Sequence, residues 1–234
     1  MIVNCVVLAG GLGTRLRSAV PNLPKCLAPI AGRPFLQWQL LSLADRGVNH
    51  FVLSLGHGAE FVLDSINEPW ANGLSISTVV EQDLLGTGGA ASFAMNMAGL
   101  DEALIVNGDT FLGGSLQGLI SPLNINDGEL MRIATVQVTD RLRFGGVALG
   151  DKKRVISFLE KGHNGAGLIN AGLYRVHRDA FNVETRDVFS MEMDIMPRLI
   201  AAGALSACEL AGPFIDIGIP EDYRLFDTHI SDYV

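Results

Sequence analysis

The stretch VVLAGGLGTRLRSAVPNLPK, residues 6–25, joins an apolar run to a glycine-rich turn and a lysine preceded by proline. The β-branched residues of IVNCVVLA, residues 2–9, predict a buried strand that ends at this turn. At Gly10, Gly11 and Gly13 the bare backbone N–H groups can approach phosphate oxygens. The pattern therefore predicts a strand followed by an anion-binding turn, although such turns also occur for structural reasons alone.

Positive charge is concentrated around the same turn. The protein as a whole is acidic, with 25 Asp and Glu against 17 Lys and Arg, yet no carboxylate precedes Asp45. The basic residues before that point are Arg15, Arg17, Lys25 and Arg33. A local positive zone in an acidic chain favours a small anionic ligand over nucleic acid, which would need a broad basic face. Chance clustering on a solvated face is the alternative.

The composition is that of a globular α/β protein. The 234 residues, 48% of them hydrophobic, are enough to bury a large core in one domain. Neither a membrane-spanning apolar run nor a signal peptide is recognisable, and the three cysteines are far apart among apolar neighbours. We therefore expect a cytoplasmic protein with reduced thiols and without membrane partners. Its positive mean hydropathy, +0.31, makes a homodimer plausible.

Strand and helix patterns alternate through the first half of the chain. After the first strand, further strands are predicted at 50–56, 75–80 and 103–107, and helices at 34–47, 59–66 and 87–97. This order favours a largely parallel sheet covered on both faces, with ligands beyond the carboxyl ends of its strands.

Short polar turns separate the strands of the second half, which indicates antiparallel pairing. These strands are predicted at 132–138, 146–150, 155–161 and 167–176. A helix near 190–202, a strand near 205–210 and a helix from about Pro220 follow. The whole chain is therefore predicted to be a single α/β domain with a mixed, mostly parallel central sheet and helices on both faces.

Two familiar phosphate-binding loops do not match the glycine turn. A Walker A loop requires Gly-Lys followed by Ser or Thr, which GGLGTRLRS lacks. A dinucleotide-binding fingerprint requires a third glycine where Leu16 stands and an acidic residue about 20 positions further on.

Five ordered segments give the sequence a specific resemblance. They are LAGGLGTRL (8–16) with PK (24–25), LGTGGA (85–90), NGD (107–109), EK (160–161) with NAGLY (170–174), and DIGIPEDY (216–223). In this order they resemble the sugar-1-phosphate nucleotidylyltransferases. The resemblance implies a Rossmann-like nucleotidyltransferase fold over residues 1–234, with a nucleotide-binding half of about 1–115 and a sugar-phosphate-binding half of about 116–234. It also implies that a nucleoside triphosphate and a sugar 1-phosphate react to give a nucleotide-sugar and pyrophosphate.

The resemblance assigns roles residue by residue. It implies catalytic roles for Arg15, Lys25 and Asp109, and Mg²⁺ ligation by Asp109 and Asp216. The nucleotide-binding residues that it implies are Leu8, Ala9, Gly10, Gly11, Gly13, Thr14, Arg15, Glu81, Gly86, Thr87 and Gly108. Magnesium favours carboxylates together with substrate phosphates, so two aspartates suit it, although an isolated Asp is more often a turn or cap residue.

The sugar-phosphate side is carried over in the same way, to Gly145, Glu160, Lys161 and Asn170. The glycine would let the backbone approach the sugar, Glu160 would accept hydrogen bonds from sugar hydroxyls, and Lys161 would meet the phosphate. Solvated charges at a strand end are the alternative for the Glu-Lys pair. Family members usually have proline after this lysine, whereas here Gly162 and His163 follow.

The base preference depends on Glu81. A residue five positions before the first glycine of LGTGGA reads the base in similar proteins, and here that position is Glu81. Guanine offers two adjacent donors, N1–H and N2–H₂, which suit a carboxylate, whereas uracil and thymine would present two acceptors to it. GTP is therefore expected, and a pyrimidine triphosphate if Gln82 is the reader instead.

Within the family, the segments NGDTF and FIDIGIPEDY are most similar to those of enzymes that act on D-glycero-α-D-manno-heptose 1-phosphate. That similarity implies GDP-heptose for bacterial surface polysaccharides such as capsule. Mannose 1-phosphate is the alternative acceptor. A catalytically silent nucleotide-sugar sensor is the alternative of another class, and the intact Arg15, Lys25, Asp109 and Asp216 speak against it.

Overall fold

The computed structural model describes residues 2–11, 16, 20–21 and 23–233. Its strands are β1 (Asn4–Leu8), β2 (Pro29–Ile30), β3 (Arg33–Pro34), β4 (His50–Leu55), β5 (Ile76–Val80), β6 (Glu102–Asn107), β7 (Thr110–Leu112), β8 (Met131–Val138), β9 (Gly146–Leu149), β10 (Val155–Leu159), β11 (Gly167–His177), β12 (Leu205–Glu209) and β13 (Phe214–Asp216). Its α-helices are α1 (Phe35–Asp45), α2 (Ala59–Ile66), α3 (Gly86–Met97), α4 (Gln117–Ile120), α5 (Met196–Ala201) and α6 (Pro220–Thr228). A π-helix, Met191–Ile195, directly precedes α5.

Within the described residues, one mixed sheet of nine strands runs through both halves of the chain. Strands β6, β1, β4 and β5 lie side by side and parallel. Strand β11 then runs antiparallel to β6, β8 and β9, while β10 pairs antiparallel with β9 and β12 pairs parallel with β8. The predicted mixed sheet is confirmed, and so is the change of pairing between its two halves.

Helices cover both faces of the sheet. On one face, apolar side chains of α1, α2 and α4 pack with Leu53 of β4 and Val106 of β6. On the other, α3, the π-helix and α5 pack with Val52 and Ile105 of the same two strands. Because neighbouring strand residues point to opposite faces, near-continuous apolar runs are what a sheet buried on both sides requires.

The carboxyl ends of the parallel strands form one edge of the sheet. Leu8, the last residue of β1, pairs with Ser54 on one side and Asn107 on the other. Backbone hydrogen bonds continue beyond the strands, from Ala9 N to Ser54 O at 2.9 Å and from Gly108 N to Leu8 O at 3.0 Å. This register brings the loops that follow β1, β4 and β6 together.

A small two-stranded sheet completes this edge. Strands β7 and β13 pair antiparallel, with Asp216 opposite Thr110. Behind them, the Phe226 ring of α6 packs against Phe35 and Phe111, with ring centroids 5.7 and 5.2 Å apart. The aromatic cluster therefore fixes the C-terminal helix beneath the segment that carries Asp216.

One prediction about secondary structure is wrong, and two short strands were not predicted. The segment 190–202 is not one regular helix, because it begins as the π-helix Met191–Ile195 and becomes α-helical only at Met196. Strands β7 and β13 have three residues each and give no alternation pattern that could be read from sequence. In the described part of the chain the three cysteines are free, and no helix is long and apolar enough to cross a membrane.

Candidate active site

A cavity of about 570 Å³ opens at the carboxyl edge of the parallel strands. Its lining includes ten residues that the sequence predicts to be functional: Leu8, Ala9, Gly10, Gly11, Lys25, Glu81, Gly86, Thr87, Gly108 and Asp109. The predicted residues Gly13, Thr14 and Arg15 lie outside the described residues.

Close backbone packing explains two of the glycines. A Cβ on Gly108 would lie 2.6 Å from Leu8 O, and one on Gly10 would lie 2.8 Å from Glu81 Oε1 and 2.9 Å from Gly56 N. Real Cβ atoms do not approach so closely, so a side chain at either position would push the strand ends apart. The glycines therefore keep the floor of the cavity compact and leave its backbone open to a ligand.

Three charged side chains converge at one rim of the cavity. Lys25 Nζ forms an ion pair with Asp109 Oδ2, and both side chains are largely buried. A Cβ on Gly218 would lie 2.6 Å from both Lys25 Nζ and Asp216 Oδ1, and 3.3 Å from Asp109 Oδ2. Asp216 Oδ1 and Asp109 Oδ2 are therefore at most about 5.9 Å apart, because both lie so close to the position of this Cβ.

Backbone contacts position these carboxylates. Asp109 follows β6, and its carbonyl oxygen accepts a hydrogen bond from Ile217 N at 2.9 Å. The Asp216 carboxylate accepts a hydrogen bond from Gly218 N at 2.7 Å. Residues 107 positions apart in sequence are thus held on adjacent strand ends, as the family resemblance implies.

The carboxylates at this rim are too few to bind a divalent cation without further ligands. Among the described residues, no group of three or more His, Cys, Asp or Glu side chains is arranged to hold a metal ion. Asp109 and Asp216 supply two carboxylates, and Mg²⁺ commonly takes one or two of these together with phosphate oxygens and water. The pair therefore fits Mg²⁺ that is bound jointly with a phosphate ligand.

Glu81 follows β5 and faces the cavity. Its Oε2 accepts a hydrogen bond from Leu85 N at 3.1 Å, while its Oε1 lies against the backbone at Gly10 and Gly56. Burial raises the pKa of the Glu81 carboxyl, and the hydrogen bond from Leu85 opposes that effect. The side chain is thus held at the floor of the site.

Gln82 points elsewhere. It is exposed and lines a second cavity, of about 880 Å³, between α3 and residues 178–189. Glu81 lines both cavities, whereas Gln82 is absent from the lining of the smaller one. Of the two candidate base readers, Glu81 is therefore the one placed at the predicted nucleotide site.

The predicted sugar-phosphate residues lie outside the lining of the smaller cavity. Glu160 and Lys161 are exposed directly after β10. A Cβ on Gly145 would lie 2.9 Å from Leu159 O, so this glycine permits the close approach of β9 and β10. Asn170 in β11 contacts the buried Tyr174, to whose hydroxyl its Nδ2 donates at 3.2 Å.

Sequence patterns missed Asn107 and Glu192, which also line the cavity. Asn107 is the last residue of β6, a position where side chains of parallel sheets often meet ligands. Glu192 lies in the π-helix, within a segment whose sequence looks like the start of an ordinary helix capped by Ser190. For Asn107 the Asn-Gly-Asp motif was the sequence feature that could have indicated a role. For Glu192 the sequence offered no such feature.

Comparison with known proteins identifies the family of this chain. The family model described as nucleotidyl transferase matches residues 4–232, and the chain belongs to that family. D-glycero-alpha-D-manno-heptose 1-phosphate guanylyltransferase of Aneurinibacillus thermoaerophilus is 34% identical over 99% of this chain and 100% of its own length. Mannose-1-phosphate guanylyltransferase of Mycobacterium tuberculosis is 34% identical over 94% of this chain and 62% of its own.

A solved structure is similar over the whole described fold. The crystal structure of HddC from Yersinia pseudotuberculosis complexed with GMP-PN matches with a TM-score of 0.86 and 33% identity, covering 98% of this chain and 100% of that one. The predicted family and the Rossmann-like nucleotidyltransferase fold are thereby confirmed.

Proposed function

We propose that this protein is a guanylyltransferase that converts GTP and D-glycero-α-D-manno-heptose 1-phosphate into GDP-heptose and pyrophosphate. The proposal is supported by the heptose 1-phosphate guanylyltransferase of A. thermoaerophilus, which is similar over its full length. It is also supported by HddC, which was crystallised with a guanine nucleotide, GMP-PN.

The observation that carries the proposal is the convergence of Lys25, Asp109 and Asp216 beside the glycine turn. In the proposed reaction a sugar-phosphate oxygen attacks the α-phosphorus of GTP. A new oxygen–phosphorus bond forms, the bond to the bridging oxygen breaks, and pyrophosphate leaves. The attacking oxygen is already anionic, so no protein nucleophile is needed, and the main obstacle is repulsion between two anions.

The chain's own residues would lower that repulsion. The backbone of Gly10 and Gly11 lines the floor and would approach the triphosphate, and the Lys25 ammonium would neutralise charge at the α-phosphate. Asp109 and Asp216 would hold Mg²⁺, which when bound neutralises phosphate charge. The family resemblance assigns Arg15 to the triphosphate as well.

Glu81 would select guanine, since its carboxylate can accept from both N1–H and N2–H₂. On the sugar side we propose that the sugar 1-phosphate is bound by Gly145, Glu160, Lys161 and Asn170. Glu160 and Lys161 are exposed and lie outside the lining of the smaller cavity, so they would contact a part of the ligand that extends beyond that cavity. We also propose a cytoplasmic location and a role for the product in bacterial surface polysaccharide synthesis.

Mannose 1-phosphate is a second candidate acceptor. It is favoured by the 34% identity to the mannose-1-phosphate guanylyltransferase of M. tuberculosis. The two sugars share their ring configuration and differ beyond C6, so a site that holds ring hydroxyls alone would accept both.

A turnover panel tests the proposal. Four nucleoside triphosphates would be paired with heptose, mannose, glucose and N-acetylglucosamine 1-phosphates, with pyrophosphate release as the readout. We expect GTP with a manno-configured sugar to dominate, with heptose ahead of mannose. Preference for mannose would select the second candidate, preference for a pyrimidine triphosphate would contradict the role of Glu81, and absence of turnover with every pair would favour a nucleotide-sugar sensor.

A further inference from the structure

Glu192 lies on the wall of the candidate active site without a role in the chemistry described so far. It belongs to the π-helix Met191–Ile195 and lines the same cavity as Lys25 and Asp109. Single-turn π-helices are rare and occur often at functional sites, because the extra residue redirects a side chain.

The Glu192 carboxylate accepts hydrogen bonds from three hydroxyl groups. Its Oε2 lies 2.8 Å from Thr87 Oγ1 and 3.0 Å from Ser190 Oγ. Its Oε1 lies 3.4 Å from the hydroxyl oxygen of the buried Tyr174. A carboxylate can only accept, so each of these hydroxyl groups must donate its hydrogen to Glu192.

This arrangement limits what Thr87 can offer a ligand. Its hydroxyl has one hydrogen, which it donates to Glu192, and its oxygen accepts from Met191 N at 2.9 Å. One lone pair remains. Thr87 can therefore accept from a ligand hydroxyl but cannot donate to a phosphate oxygen. The donor groups of a guanine nucleotide are the ribose hydroxyls and the guanine N–H groups. Under the proposed function Glu81 takes the guanine N–H groups, which leaves the ribose hydroxyls for Thr87.

On the other side of Glu192, the hydrogen bonds of Tyr174 also have a fixed direction. Because the Tyr174 hydroxyl donates to Glu192, it accepts from Asn170 Nδ2, at 3.2 Å. Gly172 N donates to Asn170 Oδ1 at 3.0 Å, which fixes the orientation of the amide. The second N–H of Asn170 is left to donate to an acceptor such as a sugar hydroxyl oxygen.

We propose that Glu192 is a positioning residue that sets the direction of the hydrogen bonds on both sides of the site. Thr87 thereby presents an acceptor to a ribose hydroxyl of the nucleotide, and Asn170 presents a donor to the acceptor sugar. The identity of the two ligands rests on the proposed function. The hydrogen-bond order itself follows from the contacts of Glu192, Thr87, Tyr174 and Asn170 within the protein and does not depend on the identity of the ligands.

Glu192→Gln tests this proposal because it keeps the shape but offers one acceptor and one donor group. It cannot accept on both sides, so the hydrogen bond of Thr87 or of Tyr174 must reverse or break. We expect kcat/KM to fall by roughly 10- to 100-fold, the range given by loss of a hydrogen bond to a charged group. The KM values for GTP and for the sugar 1-phosphate should both rise.

Deoxynucleotides give a readout that a merely structural role would not change. Calorimetry should show that 2′-deoxy-GTP or 3′-deoxy-GTP binds the wild-type protein about 10-fold more weakly than GTP, the effect of losing one hydrogen bond. Glu192→Gln and Thr87→Val should both reduce that difference. Tyr174→Phe should leave it unchanged and raise only the KM for the sugar 1-phosphate. The exposed Glu60→Gln is the matched control and should change neither quantity.

Two results would overturn the proposal. One is that Glu192→Gln lowers the melting temperature but leaves both KM values and the deoxynucleotide difference as in wild type. The other is that wild-type protein binds GTP and both deoxy analogues equally. Failure of the proposed function is distinguishable, since GTP would then not bind or no sugar 1-phosphate would turn over in the wild-type protein.

Discussion

Lys25 and Asp109 form an ion pair at the rim of the candidate active site. Lys25 comes from a 3₁₀ turn, Lys25–Leu27, that follows the glycine loop, and Asp109 comes from the turn after β6. The pair thus places a cation beside the carboxylate that is proposed to hold Mg²⁺. We infer that Lys25 serves a second purpose besides neutralising Asp109, namely charge stabilisation at the α-phosphorus.

Replacing Lys25 tests this inference. Lys25→Ala should lower kcat by roughly 10²- to 10³-fold, as for other preorganised electrostatic groups, with little change in folding. Steady-state kinetics and thermal unfolding measure the two effects. A normal kcat with only a raised KM would instead assign Lys25 to ground-state phosphate binding.

Gly218 marks the point where three charged groups meet. Gly218→Ala would place a methyl group 2.6 Å from Lys25 Nζ and Asp216 Oδ1, so these groups would have to move. Misplacement by about 1 Å can cost 10²-fold in rate, and we expect a loss of that size. The thermal unfolding midpoint should change by no more than a few degrees. If this variant keeps wild-type activity, the close arrangement of the three charged groups around Gly218 is not needed for the reaction.

Asp109 and Asp216 are expected to act as one unit. Each single change to Ala should remove most activity, because one carboxylate holds Mg²⁺ poorly against its hydration shell. The double variant should then be little worse than either single variant. Each single variant should also lose the Mg²⁺-dependent rise in melting temperature with GTP. Losses that multiply, or full Mg²⁺-dependent activity of Asp216→Ala, would contradict a shared metal ion.

The sequence alone indicated the candidate site residues that lie at the ends of strands. The glycine turn and Asn-Gly-Asp follow buried apolar runs, β1 and β6, whose pattern is visible without a structure. The meeting of Asp109 and Asp216 could be predicted only from family resemblance. The strands that bring them together, β7 and β13, have three residues each, too few for a periodic signal.

The hydrogen-bond network at Glu192 could not be predicted, for a different reason. Its members Thr87, Tyr174 and Glu192 lie on α3, β11 and the π-helix, so their contact depends on how these elements pack. The π-helix also departs from the 3.6-residue period on which helix prediction relies. Tertiary structure alone therefore places this carboxylate in the cavity.

Glu81 should make GTP binding dependent on pH. Burial raises the pKa of its carboxyl, and only the ionised form can accept from both guanine donors. GTP affinity should therefore be complete above the raised pKa and be lost as the pH falls through it. The profile of kcat/KM for GTP should show this acid limb, and Glu81→Gln should lack it.

The same variant tests base selection. Glu81→Gln should raise the KM for GTP by roughly 10- to 100-fold, since a hydrogen bond to a charged acceptor is replaced by a donor facing a donor. Gln82→Ala is the control at the neighbouring exposed position and should keep the base preference. A change of base preference in Gln82→Ala alone would assign base reading to Gln82.

Arg143 and Asp222 connect the predicted sugar side to the C-terminal helix. Arg143 Nη2 lies 3.0 and 2.8 Å from the two carboxylate oxygens of Asp222 on α6, whose side chain is only 10% exposed. Arg143 stands two positions before Gly145, and α6 begins four positions after Asp216. This ion pair therefore holds the loop before β9 against the helix that follows the proposed metal ligand.

Arg143→Ala should lower the free energy of unfolding by about 1–3 kcal/mol, the cost of leaving a buried acceptor without its partner. Because the loop at Gly145 is released, the KM for the sugar 1-phosphate should rise more than the KM for GTP. Denaturant unfolding and steady-state kinetics measure both effects. Arg178→Ala is the matched control, since its ion pair with Asp101 is exposed on both sides and should be worth about 0.2–1 kcal/mol. Equal destabilisation by the two changes, or equal rises in both KM values in Arg143→Ala, would rule out a role for this ion pair in holding the sugar side in place.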